Sequence, residues 1–313
     1  MSTSARTVDD RPVLAVVAVL VSVLALSLGD AVIKRASVSL PLWQLYVLRS
    51  ALIVPVLAGA IALRATPTSF RPLAPSWTLL RSLLLALMWI AYYAALPQIE
   101  LSVAAAAYYT SPLIIMLLTS RLSRDRTTPA LRTAAALGFA GMLVMLRPGA
   151  GSVDAWAVLP LLAAILYALA MLVTRTRCAG EHPLVLALAL NLVFVAVGGV
   201  ATLALRAFDP GGQWASANRF LFGDWVGLGT GEWAALGVLA VAMLVGSVGA
   251  AVAYQSGPAP LVASFDYAYL VFAGLWGYAF FGEVPDALAM TGMLMILAAG
   301  VLAVSRDVPR RTG

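Results

Sequence analysis

Charge is what this sequence lacks most: Asp, Glu, Lys and Arg make up only 11% of its 313 residues, about half the share of a soluble domain. With 62% hydrophobic residues and a mean hydropathy of +0.94, the chain cannot cover its own surface with polar groups. A water-soluble fold is thereby excluded, and the bilayer is the main solvent. Cysteine and histidine occur once each, as Cys178 and His182. That rules out a disulfide within the chain and leaves no material for a His/Cys metal site, so neither metal nor cofactor is expected. Lys34 is the single lysine, and the net charge of +6 rests on arginine. Arginine clustered between apolar spans follows membrane topology rather than nucleic-acid binding. Catalytic signatures are missing too. No Walker A loop is present to drive an ATP-dependent pump, and neither HExxH nor GxSxG marks a membrane protease.

What the chain does have is long apolar runs. Ten of them lie near 12–33, 41–63, 76–96, 101–120, 130–147, 155–174, 183–206, 232–254, 260–281 and 286–304, each close to the length that crosses hydrocarbon as a helix. The first, after a tail at 1–11, is longer than a signal-peptide core and lacks a cleavage site, so it reads as a retained span. Most connections are short. The long one, 207–231, carries aromatic residues that place it on the membrane surface, and its GLGTGE is a flexible turn, because no strand precedes it. With the N-terminus inside, the inner segments hold Arg6, Arg11, Arg64, Arg71, Arg121, Arg124, Arg126, Arg175, Arg177, Arg306, Arg310 and Arg311. The outer ones hold Lys34, Arg35, Arg147, Arg206 and Arg219. This bias puts both termini in the cytoplasm of a multi-pass plasma-membrane protein, here the bacterial inner membrane. Trp43, Trp77, Trp156 and Trp233 fall near expected interfaces, whereas Trp89 and Trp276 do not.

The two halves resemble each other. PLWQLYVLR (41–49) returns as PLVLALALN (183–191), which sets Arg49 opposite Asn191. Lys34 corresponds to Arg175, Gln98 to Gln255, and AAAYYTSPL (105–113) overlays VASFDYAYL (262–270), with Tyr109 in the place of Asp266. Gly141 and Gly300 open matching stretches in the last span of each half. Five spans per half is an odd number, so the second half would lie upside down relative to the first, as in many secondary transporters. The expected architecture is all-α and integral to the membrane: ten transmembrane helices as two inverted five-helix repeats, 12–147 and 154–304, around a central cavity, with tails at 1–11 and 305–313.

Over nearly its whole length the chain resembles the drug/metabolite transporter superfamily, EamA type. The resemblance rests on Gly29 to Lys34 at the end of span one, Pro41 to Arg49 in span two, ALPQIELSVAAAAYYTSPL (95–113), Gly141 in span five and FFGEVPD (280–286) after span nine. Arg121–Arg126 stand where the Gly-Glu seen after span nine would recur, and Asp266 stands where many relatives would carry a small or hydroxyl residue. The resemblance implies a ten-helix bundle that moves small organic metabolites, often outward, without ATP. One branch exports amino acids, including aromatic ones, and the density of Tyr and Trp inside the spans favours that branch.

Ionisable groups inside spans are functional candidates because each is costly there. Asp30, near the outer end of span one, is one such candidate, but an interfacial pair with Lys34 one turn later is the favoured reading. Arg49 lies roughly 12 Å deep in span two, and either holds a substrate carboxylate or pairs with a helix-end carbonyl or acid. Asn191 would add a polar contact from span seven. Asp266, with Tyr269 on its face, either meets a substrate amino group, relays a proton, pairs with Arg49 or caps a neighbouring helix. Trp89, Tyr92 and Tyr93, then Tyr108 and Tyr109, either wall a cavity or simply pack. The substrate-binding set is therefore Arg49, Trp89, Tyr92, Tyr93, Tyr108, Tyr109, Asn191, Asp266 and Tyr269.

These features point to a secondary transporter working by alternating access, with a small-molecule substrate, the lipid bilayer and an optional coupling proton as partners. No nucleic-acid partner is expected, and the chain would act as a monomer or weak oligomer. A nucleotide-sugar or phosphate-ester carrier is the runner-up and would need more basic residues facing the cavity. An integral membrane enzyme built on Asp, Arg and Tyr is the alternative from another class. Gly246, Gly249, Gly274 and Gly277 would let helices approach and slide.

Overall fold

The computed structural model describes residues 12–63, 71–111, 113–115, 118, 129–146, 155–178, 180–208, 216–256, 265 and 267–305. The regular elements among them are all helical: α1 (Pro12–Ala36), α2 (Leu42–Ala62), α3 (Pro75–Ala95), α4 (Leu101–Tyr108), α5 (Pro129–Leu146), α6 (Val158–Arg177), α7 (Pro183–Phe208), α8 (Arg219–Phe222), α9 (Thr230–Ser256), α10 (Ala268–Phe281) and α11 (Ala287–Ser305). A 3₁₀ turn, Ala155–Ala157, leads into α6. Their ends follow local chemistry. Pro75 and Pro183 open α3 and α7, where a missing N–H costs nothing. Gly282, at φ 67°, closes α10 in the left-handed conformation. The Asp286 carboxylate accepts the Ala289 N–H at 2.8 Å, the N-cap of α11.

Of the described helices, α1, α2, α3, α7 and α9 are long and apolar enough to cross a membrane. Helices satisfy their own backbone groups, the condition for lying in hydrocarbon. On α1 the stripe Val13, Val17, Val21 and Leu24 is exposed, while Ala15, Val19, Ser22 and Val23 on the other face are buried. Exposed valine and leucine stripes of this kind recur on α3, with Leu79, Leu83 and Leu87. In water such faces would aggregate; in a bilayer they meet their solvent. Two of the expected spans, 101–120 and 260–281, are described only in part. The regular part of α4 is Leu101–Tyr108, with further helical residues at 111, 113–115 and 118, and that of α10 is Ala268–Phe281, with Phe265 helical before it; Pro112 and Asp266 lie outside the described residues.

The described part of the 207–231 connection, expected to rest on the membrane surface, is bonded to the start of α2. Trp43 donates its indole N–H to the Leu221 carbonyl at 2.7 Å. The Gln44 amide exchanges two hydrogen bonds with the backbone of Val226, at 2.8 and 2.9 Å. This pairing buries Phe220 and fastens the described part of the connection to the start of α2. Within GLGTGE, expected to be a flexible turn, Thr230, Gly231 and Glu232 instead open α9, and the Gly229 N–H donates to the Glu232 carboxylate at 3.0 Å at that helix start.

Helices far apart in sequence make the principal contacts. α1 packs along α9 and also α10; α2 along α7 and also α9; α3 along α6 and also α7. α4 touches α10 and α6, and α5 lies along α11. Several crossings are closed by glycine. A Cβ on Gly249 would sit 3.1 Å from the Ala18 carbonyl, and one on Gly198 would sit 3.0 Å from the Trp43 carbonyl. Gly274, expected to mark a close approach, has nothing within 4 Å of its Cβ position. Among the described helix–helix crossings the tightest backbone approach is α5 on α11, where a Cβ on Gly141 would meet the Gly292 carbonyl oxygen and the Met295 Cβ at 2.8 Å. Gly141→Leu should cost about 1–3 kcal/mol through overpacking. It is expected to lower the thermal unfolding temperature in detergent, while Gly199→Ala, which meets nothing within 4 Å, leaves that temperature unchanged or slightly higher.

Candidate functional site

Among the described residues, two charged side chains lie buried within the helices, each 2% exposed: Asp30 on α1 and Arg49 on α2. Asp30 stands six residues before the end of α1, and Arg49 seven into α2, so both lie about 10 Å below that end of the bundle. They line one cavity of about 10 Å³ together with Tyr93 of α3 and with Leu239, Ala242 and Met243 of α9, room for about one water. The Tyr269 hydroxyl donates to Oδ2 of Asp30, and the Tyr92 hydroxyl lies 3.3 Å from that of Tyr269. Asp30 therefore does not serve as an interfacial partner for Lys34. Spacing by four residues puts both on one face of α1, but the Lys34 ammonium reaches past the helix end, bonding the Glu283 carboxylate and the Ile99 carbonyl, the latter at 2.6 Å.

The Arg49 guanidinium lies over two rings, 5.5 Å from the Tyr46 centroid and 5.0 Å from that of Phe194, both within cation–π range. Its Nε and Nη2 hydrogens meet no hydrogen-bond acceptor among the described residues. The same holds for the Tyr46 hydroxyl, Ser50 Oγ and Asn191 Oδ1, all buried. An unsatisfied buried polar group costs about 1–3 kcal/mol and more when charged. Each such group calls for a partner, which water, an ion or a ligand can supply.

Rings surround this centre. Tyr46 touches Tyr93 at 6.2 Å, Trp89 contacts Tyr93 at 4.8 Å, and Tyr92 contacts Tyr108 at 5.4 Å. Tyr108 meets Tyr167 of α6 at 5.5 Å, while Tyr109 stacks on Tyr269 of α10 at 4.8 Å. One connected set of aromatic contacts thus joins α2, α3, α4, α6, α7 and α10. Arg49, Trp89, Tyr92, Tyr93, Tyr108, Tyr109 and Tyr269 all belong to it. Asn191 is buried on α7, one turn before Phe194, and gives its amide N–H to the Ala187 carbonyl at 2.9 Å. Asp266 lies outside the described residues. Trp276, placed away from any interface by its position in the chain, donates to Ser27 Oγ at 3.1 Å. Four members were not expected from the sequence: Asp30, Tyr46, Tyr167 and Phe194. Tyr46 had a signal, because it stands three residues before Arg49 and so on its face. Among the described residues no three His, Cys, Asp or Glu side chains come together as metal ligands. The chemistry available here is charge, hydrogen bonding and ring contact.

Two ties close the bundle ends. At the end nearer the cavity, Lys34 of α1 bonds Glu283 after α10, and Glu283 Oε2 accepts the Leu101 N–H at 3.0 Å. At the opposite end, Glu181 accepts the Ala74 N–H at 2.7 Å and the Thr78 hydroxyl at 3.4 Å, tying the start of α3 to the α6–α7 turn. Arg81 is engaged there too, donating to Thr174 Oγ1 at 2.9 Å and to the Leu186 carbonyl at 3.4 Å.

A pseudopaline exporter of Pseudomonas aeruginosa is 29% identical over 293 residues, covering 92% of this chain and 95% of that protein. A riboflavin transporter of Rhizobium johnstonii is 28% identical over 223 residues, 71% of this chain and 67% of its own length. A riboflavin transporter of Brucella anthropi is 24% identical over 280 residues, 87% of this chain and 89% of that protein. Each of these relatives is named an exporter or a transporter. No family model matches the sequence. The fold is one already solved: a crystal structure superposes with a TM-score of 0.60 at 20% identity, over 93% of this chain and 94% of the other. The likeness spans both halves of the chain, and so includes every helix that lines the Asp30–Arg49 cavity.

Proposed function

We propose that the chain is a secondary transporter of the EamA type that exports small organic metabolites, amino acids and aromatic ones among them, by alternating access about the Asp30–Arg49 cavity. The observation that carries this reading is Arg49: a permanent cation in a membrane helix, 2% exposed, whose Nε and Nη2 meet no acceptor among the described residues. Such a group is expensive in hydrocarbon, and a carboxylate ligand offers it the fork it lacks. The surrounding Tyr and Trp rings supply surfaces for an aromatic side chain. Relatives that handle pseudopaline and riboflavin support a small organic cargo. Of the two arginines described deep in the bundle, Arg81 is already spent on Thr174 and Leu186, which weighs against a phosphate-ester carrier needing several free cations.

The packing pattern supports two related five-helix halves. Exchange each helix of 12–147 with its counterpart in 154–304, so that α1 to α5 trade places with α6, α7, α9, α10 and α11. The contact of α1 with α9 becomes that of α6 with α3, α1 with α10 becomes α6 with α4, and α3 with α7 becomes α9 with α2. The pairs α2–α7, α4–α10 and α5–α11 map onto themselves. An inverted repeat rocking about a central site would have this symmetry. Its halves would sit in the inner membrane with both termini cytoplasmic, following the arginine bias.

Proteoliposomes holding the purified chain are expected to show saturable flux of radiolabelled L-phenylalanine or L-tryptophan, competed by the unlabelled amino acid. Flux no greater than in empty vesicles would exclude the aromatic amino-acid reading.

A further inference from the structure

Opposite charges face each other across the cavity, and that pairing constrains what can bind. Asp30 and Arg49 come from different helices, are equally buried and share the same small space. Tyr269 fixes Asp30 through Oδ2, and the rings of Tyr46 and Phe194 fix Arg49 from its faces. Electrostatic interactions here are far stronger than in water. A simple organic anion docked on Arg49 would place a second negative charge beside Asp30. A simple cation docked on Asp30 would be repelled by Arg49. A molecule bearing an ammonium group and a carboxylate a few ångströms apart satisfies both and leaves the site neutral.

We propose that Asp30 and Arg49 form a zwitterion-binding pair, Asp30 receiving the ligand's ammonium group and Arg49 its carboxylate. The inference rests on the transport reading above and narrows its substrate class to compounds carrying both groups. It also gives Asp30 a part that its position one turn before Lys34 concealed. The cavity has room for about one water, so a larger ligand enters when the helices around it part, and Tyr93, which lines the cavity, then lies beside it.

The test is competition against saturable L-phenylalanine flux in proteoliposomes. The competitors are N-acetyl-L-phenylalanine, which keeps only the carboxylate, and phenethylamine, which keeps only the ammonium group. For the wild-type chain, both are expected to compete at least tenfold more weakly than unlabelled L-phenylalanine. In Asp30→Asn, L-phenylalanine should lose at least tenfold in apparent affinity while N-acetyl-L-phenylalanine gains, so that the two become equivalent. A general packing defect would weaken both together. The wild-type profile is decisive even where the variant fails to insert. Saturable phenylalanine flux inhibited equally by N-acetyl-L-phenylalanine would overturn the zwitterion pair and leave the transport reading standing. No saturable phenylalanine flux at all would overturn both.

Discussion

Arg49→Ala is expected to reduce saturable flux on the order of 10²- to 10³-fold while leaving the helix content of the purified protein unchanged. Truncating one partner of a buried charge pair typically costs about 3–5 kcal/mol, and each 1.4 kcal/mol is about a factor of ten in affinity. The loss falls on the bound state, where the guanidinium would otherwise meet a carboxylate with two parallel hydrogen bonds. Folding is affected differently. Nε and Nη2 already meet no acceptor among the described residues, and removing a central arginine spares about 2.5–3.5 kcal/mol of insertion cost. Against that saving stand the lost contacts with the Tyr46 and Phe194 rings and an unbalanced Asp30. Arg49→Lys separates charge from geometry. It keeps a cation opposite Asp30 but has neither the planar fork nor the ring-stacking face, so an intermediate loss, about tenfold, is expected. The measurement is initial flux in proteoliposomes, paired with circular dichroism and thermal unfolding of each variant. Equal flux in Arg49→Ala and wild type would remove Arg49 from the site.

The difference between what was legible in the sequence and what was not follows from the range of the interactions. Arg49 was legible because a charge eight residues into an apolar run stands out against hydrocarbon. Trp89, Tyr92 and Tyr93 were legible because helical spacing alone places them on one face. The role of Asp30 was not, because the local rule that pairs residues four apart cannot register a hydroxyl from Tyr269 or the competing carboxylate of Glu283 for Lys34. Both partners are more than two hundred residues away in the chain. Phe194 and Tyr167 were hidden for a simpler reason. In a span that is apolar on every side, periodicity does not separate a ring facing the core from one facing lipid. The attachment of the 207–231 connection to Gln44 was equally silent, since it depends on the close packing of α2 against α7.

The Lys34–Glu283 tie should show a distinctive pattern of rescue. Lys34 and Glu283 are 12% and 15% exposed, and each makes a second bond that only its own chemistry permits. The Lys34 ammonium donates to the Ile99 carbonyl, and the Glu283 carboxylate accepts the Leu101 N–H. Lys34→Met leaves the Glu283 carboxylate without its cation beside Glu100, whose carboxyl is pushed above its usual range by burial and then by the charge of Glu283. Glu283→Gln leaves one ammonium that still keeps the Ile99 carbonyl. Lys34→Met is therefore expected to lower the thermal unfolding temperature more than Glu283→Gln. Lys34→Met with Glu283→Gln should be milder than Lys34→Met alone, because it removes the Glu283 charge that would otherwise stand unpaired beside Glu100. The exchange Lys34→Glu with Glu283→Lys restores the ion pair on paper and is expected to fail. It points a carboxylate at the Ile99 carbonyl and an ammonium at the Leu101 N–H, setting acceptor against acceptor and donor against donor. Recovery of wild-type stability by the exchange would show that the tie is charge attraction alone. If the halves rock, weakening the tie must also ease their separation at this end. A cysteine introduced at Tyr93, in a Cys178→Ala background, should then react faster with a membrane-impermeant maleimide in Glu283→Gln than in its parent. An unchanged labelling rate would mean that these two residues fasten the fold without holding the cavity shut.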